Sequence, residues 1–529
     1  MTLLNIEPRE YQKAIFEVAK QKNTLVVLPT GIGKTLIALM LAIERKTKYP
    51  LSKILFLAPT RPLIEQHFEY FKKHFPELFA DLQLFTGSVN AKVRQKIWQT
   101  AEVIFSTPQC VANDLENYLY NLNDVSLLVI DEAHRCLKNY DYTKVVNKYK
   151  DHAKNIRILG LTASPGHEPE KVKQISAHLA LEEIEIRTRD SEDVKPYMKE
   201  REFTKIEVPF PPQLMEIRAL LKKIYDEKVS KLKEKNFLFG PANKIALLHL
   251  QQRLFSQISQ RNFAAMTGVS WTAQAIKISH AIELLETQTL SGLNNYLKGL
   301  IEQSNQKKSR AVQTLVKSPE FNAAFILLQE LLARKTEHPK INQTMEIIAS
   351  EFNSNPNSKI IIFSQFRETA QSISKRINEI AGIKSSIFIG QAKKLGAGLS
   401  QKEQRQIIDD FRGGKINVLC ATSIGEEGLD IPEVSAVIFY EPIPSAIRKI
   451  QRAGRTARLK PGKLVILVTK GTRDEIHHYA ASAREKKMYK TIEQVKKDLK
   501  LKVNLKGSCQ QETDRCLTTA KNKTIADFK

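Results

Sequence analysis

Five short apolar runs, each followed by a segment with helical spacing, constrain the fold of the first two hundred residues. The runs occupy residues 25–28, 53–58, 103–106, 127–130 and 157–161. Strands that alternate with helices predict a parallel, doubly wound α/β sheet. In such sheets, functional residues collect at the carboxyl ends of the strands. Each run here is followed by a polar or glycine-bearing segment, so the sequence predicts a functional edge on this sheet.

The first of these segments has the sequence Leu-Pro-Thr-Gly-Ile-Gly-Lys-Thr at residues 28–35. A glycine-rich turn between a strand and a helix can bind phosphate, because its N–H groups and the positive helix end face one anion. Lys34 is expected to reach the β- and γ-phosphates, and the Thr35 hydroxyl to bind Mg²⁺. The strict motif has glycine at the position of Leu28, so an ordinary loop is the alternative interpretation. The expected phosphate-binding residues are Pro29, Thr30, Gly31, Ile32, Gly33, Lys34 and Thr35.

An acidic pair follows the fourth apolar run, about a hundred residues after Lys34. Asp131 ends the run, which is where a second Mg²⁺ ligand is expected, and Glu132 could take a proton from the attacking water. Acidic residues also end strands on ordinary surfaces. Because this pair follows the glycine-rich loop in the right order, we predict a nucleoside triphosphatase that uses ATP and Mg²⁺.

The charge of the chain indicates a polyanionic partner. Its 529 residues carry 82 Lys and Arg against 57 Asp and Glu, a formal net charge of +25. An excess of this size favours nucleic acid over a merely basic surface. No apolar run approaches the ~18 residues of a membrane span, and no signal peptide is recognised. The five scattered cysteines indicate free thiols in a reducing cytoplasm, with no metal cluster.

The motifs together resemble those of superfamily 2 helicases. The resemblance rests on residues 29–35, 58–63, 131–134 and 161–165, in that order. That family accepts a residue other than glycine at position 28. The resemblance implies adenine recognition by Gln12, and hence ATP over other nucleotides. It also implies that His134, Thr162 and Ser164 couple ATP hydrolysis to movement.

Residues 200–355 show helical periodicity with almost no strand pattern, which predicts an all-helical domain between two α/β domains. Its apolar stripes indicate a bundle core. Its lysines either form solvated faces or bind a nucleic-acid backbone, and the sequence leaves both interpretations open.

The α/β alternation resumes after residue 358, with predicted strands at 360–364, 386–389, 418–421, 436–440 and 464–469. Residues 421–432 and 451–458 resemble helicase motifs V and VI, and residues 361–369 resemble motif IV. Arginines stabilise the charge of phosphoryl transfer, typically by ~10³–10⁵ in rate. Arg455 and Arg458 are therefore expected to reach across the cleft, with Gln451 near the attacking water. The resemblance adds Gly428 and Asp430 to the nucleotide site.

This arrangement predicts two RecA-like P-loop domains that ATP closes and hydrolysis releases. Nucleic acid is expected to lie across both sheets and to move with that cycle. Arg61, Thr107, Arg367 and Thr422 are the predicted contacts to its sugar-phosphate backbone, which carry no sequence readout.

Residues 367–370, 426–430 and 440–448, with the helical insertion, resemble the archaeal Hef and Fanconi anaemia M group of helicases. The resemblance covers the chain to about residue 490. It implies ATP-driven unwinding or branch migration of forked and junction DNA in replication-fork repair, by a nucleoid-associated protein if the source is archaeal. Archaeal Hef proteins commonly carry a C-terminal XPF-type nuclease. Its motif is not found after residue 490, so a separate nuclease is expected as partner.

The expected domains are a first RecA-like domain (1–199), the helical insertion (200–355), a second RecA-like domain (356–485) and a basic, disordered tail (486–529) that begins as a basic helix. From Arg484 the chain holds thirteen Lys and Arg against six Asp and Glu. Residues 523–529 faintly resemble a sliding-clamp-binding peptide, although the usual glutamine and second aromatic residue are missing. A sliding clamp is therefore a second expected partner.

Two alternatives to a DNA helicase remain at this point. RIG-I-like and Dicer ATPases share the insertion architecture, and they would be stimulated by duplex RNA more than by forked DNA. A scaffold with a decayed ATP site is the non-enzymatic alternative. Every catalytic position named above has the residue that the chemistry needs, which disfavours the scaffold.

The excess of positive charge predicts a steep salt dependence of nucleic-acid binding. Each phosphate contact releases a counterion, so a chain that contacts about six phosphates should bind about 10³-fold more weakly at 200 mM than at 50 mM salt. Titration of labelled forked DNA at several salt concentrations measures this slope. A flat dependence would contradict binding along the backbone.

Overall fold

Two parallel β-sheets, one in each half of the chain, organise the fold. The computed structural model describes residues 6–75, 81–138, 140–259, 265–390, 398–425, 431–456 and 461–523. The first sheet has seven strands and the second has six. All strand pairs within these sheets are parallel. None of the described helices combines the length and the apolar character needed to cross a membrane.

The first sheet alternates with helices along the chain, as predicted. Its strands are β1 (Thr24–Val27), β2 (Lys53–Leu57), β3 (Leu82–Phe85), β4 (Val103–Ser106), β5 (Val125–Ile130), β6 (Ile158–Thr162) and β7 (Glu183–Ile186). Its helices are α1 (Glu10–Gln21), α2 (Lys34–Lys48), α3 (Arg61–His74), α4 (Ala91–Thr100), α5 (Pro108–Glu116), α6 (Asp141–His152) and α7 (Pro169–His178). The strand order is β3-β4-β2-β5-β6-β1-β7, which places β2, β5 and β6 at the centre and β1 beside the edge strand β7.

A helical bundle follows the strand β8 (Arg201–Val208). The bundle consists of α8 (Pro212–Glu234), α9 (Lys244–Ser259), α10 (Ala265–Thr287), α11 (Leu290–Asn305), α12 (Arg310–Val316) and α13 (Pro319–Ala333). Helix α10 is buried on most of its faces, because α8, α9 and α11 pack around it. The predicted all-helical domain between two α/β domains is confirmed.

The second sheet is built from the residues that follow the bundle. After α14 (Pro339–Ser354) come β9 (Ile360–Phe363), α15 (Arg367–Ile377), β10 (Ser385–Phe388), α16 (Gln401–Arg412), β11 (Val418–Ala421), β12 (Ala436–Phe439), α17 (Ala446–Ala453), β13 (Gly462–Thr469) and α18 (Arg473–Lys523). The strand order is β10-β11-β9-β12-β13-β8. The predicted fold class, two parallel-sheet α/β domains with a helical insertion, is therefore confirmed.

The structure differs from the expected division of the chain at both ends of the insertion. Strand β8 lies before the bundle in sequence but pairs with β13 of the second sheet along eight residues. The sequence analysis did not predict this strand, because charged residues alternate along it and the apolar run typical of a strand is missing. An edge strand with one exposed face needs few apolar side chains. Helix α14, expected in the bundle, packs Ile341 and Ile348 into the core of the second sheet.

Helix α18 contains the basic helix expected at the start of the tail, but part of it packs against the first domain instead of lying in solvent. It begins in the second domain and crosses to the first, where Met488, Ile492 and Val495 join the hydrophobic core formed by α7 and β7. Lys496 forms ion pairs there with Glu185 at 3.1 Å and Glu183 at 3.6 Å. The charge of this segment suggested a solvated tail, but its apolar residues recur at helical spacing and bury one face.

Shortening a buried side chain of α18 should destabilise the first domain. Ile492→Ala removes a side chain that is fully buried, so we expect a loss of about 2–4 kcal/mol in the free energy of unfolding of that domain. Denaturation in urea measures this loss. Glu493→Ala, one residue away on the exposed face, is the matched control. Equal stability of the two variants would contradict the docking of α18.

Candidate functional site

The phosphate-binding loop, residues 28–35, joins β1 to α2 and contains two glycines with positive φ angles. Gly31 and Gly33 have φ angles of 83° and 84°, in the left-handed region that favours glycine. A Cβ atom added at Gly33 would also overlap the side-chain amide of Gln12. Lys34 begins α2, and its ammonium group donates to the carbonyl oxygens of Leu28 at 3.0 Å and Pro29 at 3.3 Å. The loop therefore curls around the Lys34 ammonium group.

Two side chains of α1 hold this loop from outside. The Tyr11 hydroxyl donates to the Ile32 carbonyl oxygen at 2.7 Å, and Gln12 Nε2 lies 3.3 Å from the same oxygen. Gln12 Oε1 accepts from the Arg9 backbone N–H at 2.9 Å. Gln12 thus lies against the loop, as a role in recognising the base of a nucleotide requires. That role stays a prediction.

The two predicted Mg²⁺ ligands are linked through a histidine that the sequence analysis did not select. His67, on α3, contacts Thr35 Oγ1 through Nδ1 at 3.3 Å and Asp131 Oδ2 through Nε2 at 2.8 Å. Burial opposes ionisation of Asp131, but His67 and the Lys34 ammonium group outweigh it and hold the pKa of Asp131 below its ordinary value. An ionised carboxylate beside a hydroxyl is an oxygen-donor set that Mg²⁺ accepts. The residues therefore fit the ion.

The predicted coupling residues form one connected group with Glu132, the predicted catalytic base. Glu132 has a φ angle of 50°, which turns its carboxylate toward His134 Nδ1 at 3.1 Å. The same nitrogen lies 3.2 Å from the Thr162 hydroxyl oxygen. Thr162 Oγ1 in turn accepts from the Ser164 backbone N–H at 3.1 Å. The structure thus brings together Glu132, His134, Thr162 and Ser164, as a coupling role requires.

Ser164 also touches α18, which the sequence analysis did not expect. Its hydroxyl oxygen lies 2.7 Å from Met488 Sδ, and Met488 is fully buried. Farther toward its start, α18 is tied to α17 by an ion pair of Glu485 with Lys449 at 2.9 Å. Helix α18 therefore connects the coupling group of the first domain with the helix that carries Gln451.

The second domain approaches the phosphate-binding loop at Gly454. A Cβ atom added there would lie 2.9 Å from Thr30 Cβ and overlap the Thr30 hydroxyl. The contact brings the segment with Gln451 and Arg455 to the loop of the first domain. Three other predicted residues, Gly428, Asp430 and Arg458, lie outside the described residues.

A cavity of about 450 Å³ lies beside this contact. Its lining includes Pro29 and Thr30 of the loop, Gly454, and the arginines Arg189 and Arg201. Burial and the charge of Arg201 lower the pKa of Arg189 to about 10. The acidic residues Asp190 and Glu485 also line the cavity, so both signs of charge are present there.

The four predicted nucleic-acid contacts all follow the carboxyl ends of strands. Arg61 begins α3 after β2, Thr107 precedes α5 after β4, Arg367 begins α15 after β9, and Thr422 follows β11. Arg61 Nε is paired with Glu65 Oε1 at 2.7 Å. The second oxygen of Glu65 is paired with Arg405 on α16, which ties the two domains together at this edge. Their contact with nucleic acid stays a prediction.

Comparisons with known proteins agree with this geometry. Three family models match, described as "DEAD/DEAH box helicase" over residues 9–172, "Putative ATP-dependent RNA helicase, helical bundle" over 213–335 and "Helicase conserved C-terminal domain" over 339–460. The crystal structure of the Pyrococcus furiosus Hef helicase domain is 42% identical in sequence, with a TM-score of 0.71. The match covers 91% of this chain and all of that one.

The chain belongs to the Hef family of helicases. The resemblance to superfamily 2 and to its Hef and Fanconi anaemia M group is thereby confirmed. A Methanocaldococcus jannaschii relative named "Putative ATP-dependent RNA helicase MJ1505" is 36% identical over 489 residues, 92% of this chain. The Neurospora crassa "ATP-dependent DNA helicase mph1" is 33% identical over 490 residues, 89% of this chain. The mouse "Fanconi anemia group M protein homolog" is 32% identical over 526 residues, 92% of this chain.

This Hef-family chain corresponds to part of those relatives. It spans 61% of the Methanocaldococcus protein, 42% of the Neurospora protein and 26% of the mouse protein. The family models that match residues 9–172 and 339–460 include every residue predicted here for the ATP site.

Adding a methyl group at the contact between the domains should impair ATP turnover. Gly454→Ala places an atom on the Thr30 hydroxyl, and a displacement of about 1 Å in a catalytic arrangement can lower the rate about 10²-fold. Steady-state ATPase assays give kcat. Gly299→Ala, at a glycine with open space around it, is the control. Normal turnover by Gly454→Ala would show that the contact is not needed.

Proposed function

We propose that this chain is an ATP-driven DNA helicase or translocase that unwinds or branch-migrates forked and junction DNA during replication-fork repair. The observation that carries the proposal is the two-domain ATP site of a Hef-family chain, in which Gly454 meets Thr30 of the phosphate-binding loop. The Neurospora relative, named as a DNA helicase, supports DNA as the substrate.

In the proposed reaction, the first domain binds ATP and supplies the base. Lys34 and the loop N–H groups hold the phosphates, Gln12 recognises adenine, and Glu132 takes a proton from the attacking water. Thr35 and Asp131 are the residues that would hold Mg²⁺, which neutralises charge on the β- and γ-phosphates when bound. His67 keeps both side chains on one side of the site through its two ring nitrogens.

The second domain completes the reaction. Arg455 and Arg458 stabilise charge on the transferred phosphoryl group, and Gln451 orients the water. Gly428 and Asp430 contribute to the nucleotide site. Closure around ATP brings these groups to the loop, and loss of the γ-phosphate releases them. The coupling group (His134, Thr162 and Ser164) passes this change to the nucleic-acid edge.

DNA is proposed to lie across the carboxyl edges of both sheets. Arg61, Thr107, Arg367 and Thr422 then contact its sugar-phosphate backbone, which gives tracking without sequence preference. The lysines of the insertion, residues 200–355, extend this surface. The proposed setting is the cytoplasm, with the protein associated with the nucleoid if its source is archaeal.

Two partners complete the proposal. A separate nuclease would cut the DNA that this chain remodels. A sliding clamp would bind residues 523–529, most of which lie outside the described residues. A pull-down with and without Phe528→Ala tests the clamp, and equal recovery of both would remove it from the proposal.

A duplex-RNA-stimulated ATPase is the second candidate function. Its support is specific: both the model of the helical bundle and the Methanocaldococcus relative are named for RNA helicases. ATPase stimulation by forked DNA, a Holliday junction, single-stranded DNA and duplex RNA separates the candidates. Greater stimulation by duplex RNA than by any DNA would favour the second.

Removing the loop lysine or the catalytic carboxylate should abolish ATP turnover and leave DNA binding intact. We expect Lys34→Ala and Glu132→Gln each to lower kcat about 10²–10⁴-fold, because each removes a group that acts on the phosphates or the water. Their affinity for forked DNA should change less than about twofold. Lys48→Ala and Glu116→Gln, at exposed positions, are the controls. Unimpaired unwinding by both variants would refute the proposal.

A further inference from the structure

His67 lies between the two residues that would hold Mg²⁺, although no sequence motif indicated it. Its side chain comes from α3, whereas Thr35 belongs to α2 and Asp131 follows β5. The residue is 8% exposed, and its ring lies against the buried ring of Phe56, with 4.6 Å between the ring centres. Each of its two ring nitrogens faces one of the predicted ligands.

The chemistry of the partners sets the direction of both contacts. Nε2 of His67 lies 2.8 Å from Asp131 Oδ2, and Nδ1 lies 3.3 Å from Thr35 Oγ1. The pKa of Asp131 is held below its ordinary value, so its carboxylate is ionised and can only accept. Nε2 therefore carries a hydrogen and donates it to Asp131. In the neutral ring Nδ1 then accepts, and the Thr35 hydroxyl donates to it.

This arrangement prepares both ligand oxygens for a cation. A hydroxyl has one hydrogen and two lone pairs, so a Thr35 hydroxyl that donates to the ring keeps both lone pairs for an ion. A carboxylate has about four acceptor sites, and the hydrogen bond from the ring occupies one of those of Asp131. Loss of the ring nitrogens would free the hydroxyl to rotate its hydrogen toward the ion.

Open space reaches two members of this group. A cavity of about 540 Å³ lies between α3 and α16, and its lining includes Thr35 and His67. Glu65 of α3 and Arg405 of α16, which form an ion pair, line the same cavity. A metal site needs an entry path as well as ligands, and this cavity provides one.

Packing alone does not account for a histidine at this position. The surroundings on this side are aromatic, since Phe56 also stacks on Phe105 and meets Phe71 edge to face. A phenylalanine would suit such a place without adding polar atoms, whereas buried nitrogens each need a partner. The partners of the two nitrogens are the two predicted ligands. The observation therefore concerns the nitrogens rather than the ring.

We propose that His67 is a positioning residue for Mg²⁺: its two ring nitrogens orient the Thr35 hydroxyl and the Asp131 carboxylate so that both present oxygen lone pairs to the ion. The inference deepens the ATPase activity proposed above and rests on it. His67 itself is not a ligand. Outer partners of metal ligands typically contribute about 10–100-fold to metal affinity, because they fix the ligands in place before the ion binds.

The test measures the affinity of a fluorescent, slowly hydrolysed ATP analogue in EDTA and in saturating Mg²⁺. The ratio of the two dissociation constants isolates the contribution of the ion to nucleotide binding and requires no turnover. We expect tighter binding in Mg²⁺ for the wild type, and a ratio at least about tenfold lower for His67→Phe, which keeps the ring but has no nitrogens. Affinity in EDTA should stay at the wild-type value, because the phosphate-binding loop is unchanged.

Two further variants separate the nitrogens from the rest of the side chain. His67→Gln offers an amide N–H and a carbonyl oxygen in place of the two nitrogens, so it should restore most of the ratio that His67→Phe loses. His74→Phe is the matched control, because His74 lies on the same helix but stacks on Tyr70, with 4.8 Å between the ring centres. The control should bind the analogue as the wild type does, with and without Mg²⁺.

The inference is overturned if His67→Phe keeps the wild-type ratio, or if His67→Gln restores none of it. An equal loss of affinity in EDTA and in Mg²⁺ would also overturn it, since the effect would then lie in the loop and not in the ion. If thermal unfolding shows that His67→Phe does not fold, His67→Ala carries the same expectation. A wild-type chain that neither binds nor hydrolyses ATP refutes the proposed function and this inference together, whereas an active one with an unaffected His67→Phe variant refutes this inference alone.

Discussion

The contact of Gly454 with Thr30 is the constraint on which the rest of the structure depends. The phosphate-binding loop holds Lys34 and Thr35 at one wall of the cleft, while Gln451 and Arg455 belong to the other. Only a residue without a Cβ atom lets α17 come this close to the loop. The two sheets, each with its functional residues at the carboxyl ends of its strands, must therefore face each other across this narrow contact. The ATP site exists only in that arrangement.

Helix α18 links the two α/β domains. It leaves the second sheet, passes α17, and inserts Met488, Ile492 and Val495 into the core of the first domain. One continuous helix is therefore buried in the first domain and ion-paired to α17 of the second. Its contact with Ser164 lies beside the group that links Glu132 to Thr162. The helical bundle is linked to α18 by Arg473, which donates to the Ser279 carbonyl oxygen of α10 at 2.8 Å.

Several charged side chains are buried on or near α17, the helix that carries Gln451. Hydrophobic packing alone could hold this helix on the second sheet, since Ala453 lies in the core there. The chain instead buries Glu441, Arg452, Lys340 and Asp474, which lowers stability unless each charge is balanced. This group of charges also reaches the bundle through Thr287, so the insertion, the second sheet and the ATP-site helix share one polar junction.

The sequence by itself determined the two sheets, the insertion between them and most of the ATP site, because central strands are continuous apolar runs and loop residues follow them directly. It did not reveal β3, β7 and β8, which are all edge strands. Strand β7 carries two charged residues, Glu183 and Glu185, which α18 covers and whose charges Lys496 of that helix balances. Only the tertiary structure decided that His67 joins Thr35 to Asp131, that α18 docks on the first domain and that Gly454 closes the cleft. These contacts join residues from 32 to more than 400 positions apart, and no local pattern encodes a contact between elements that only folding brings together.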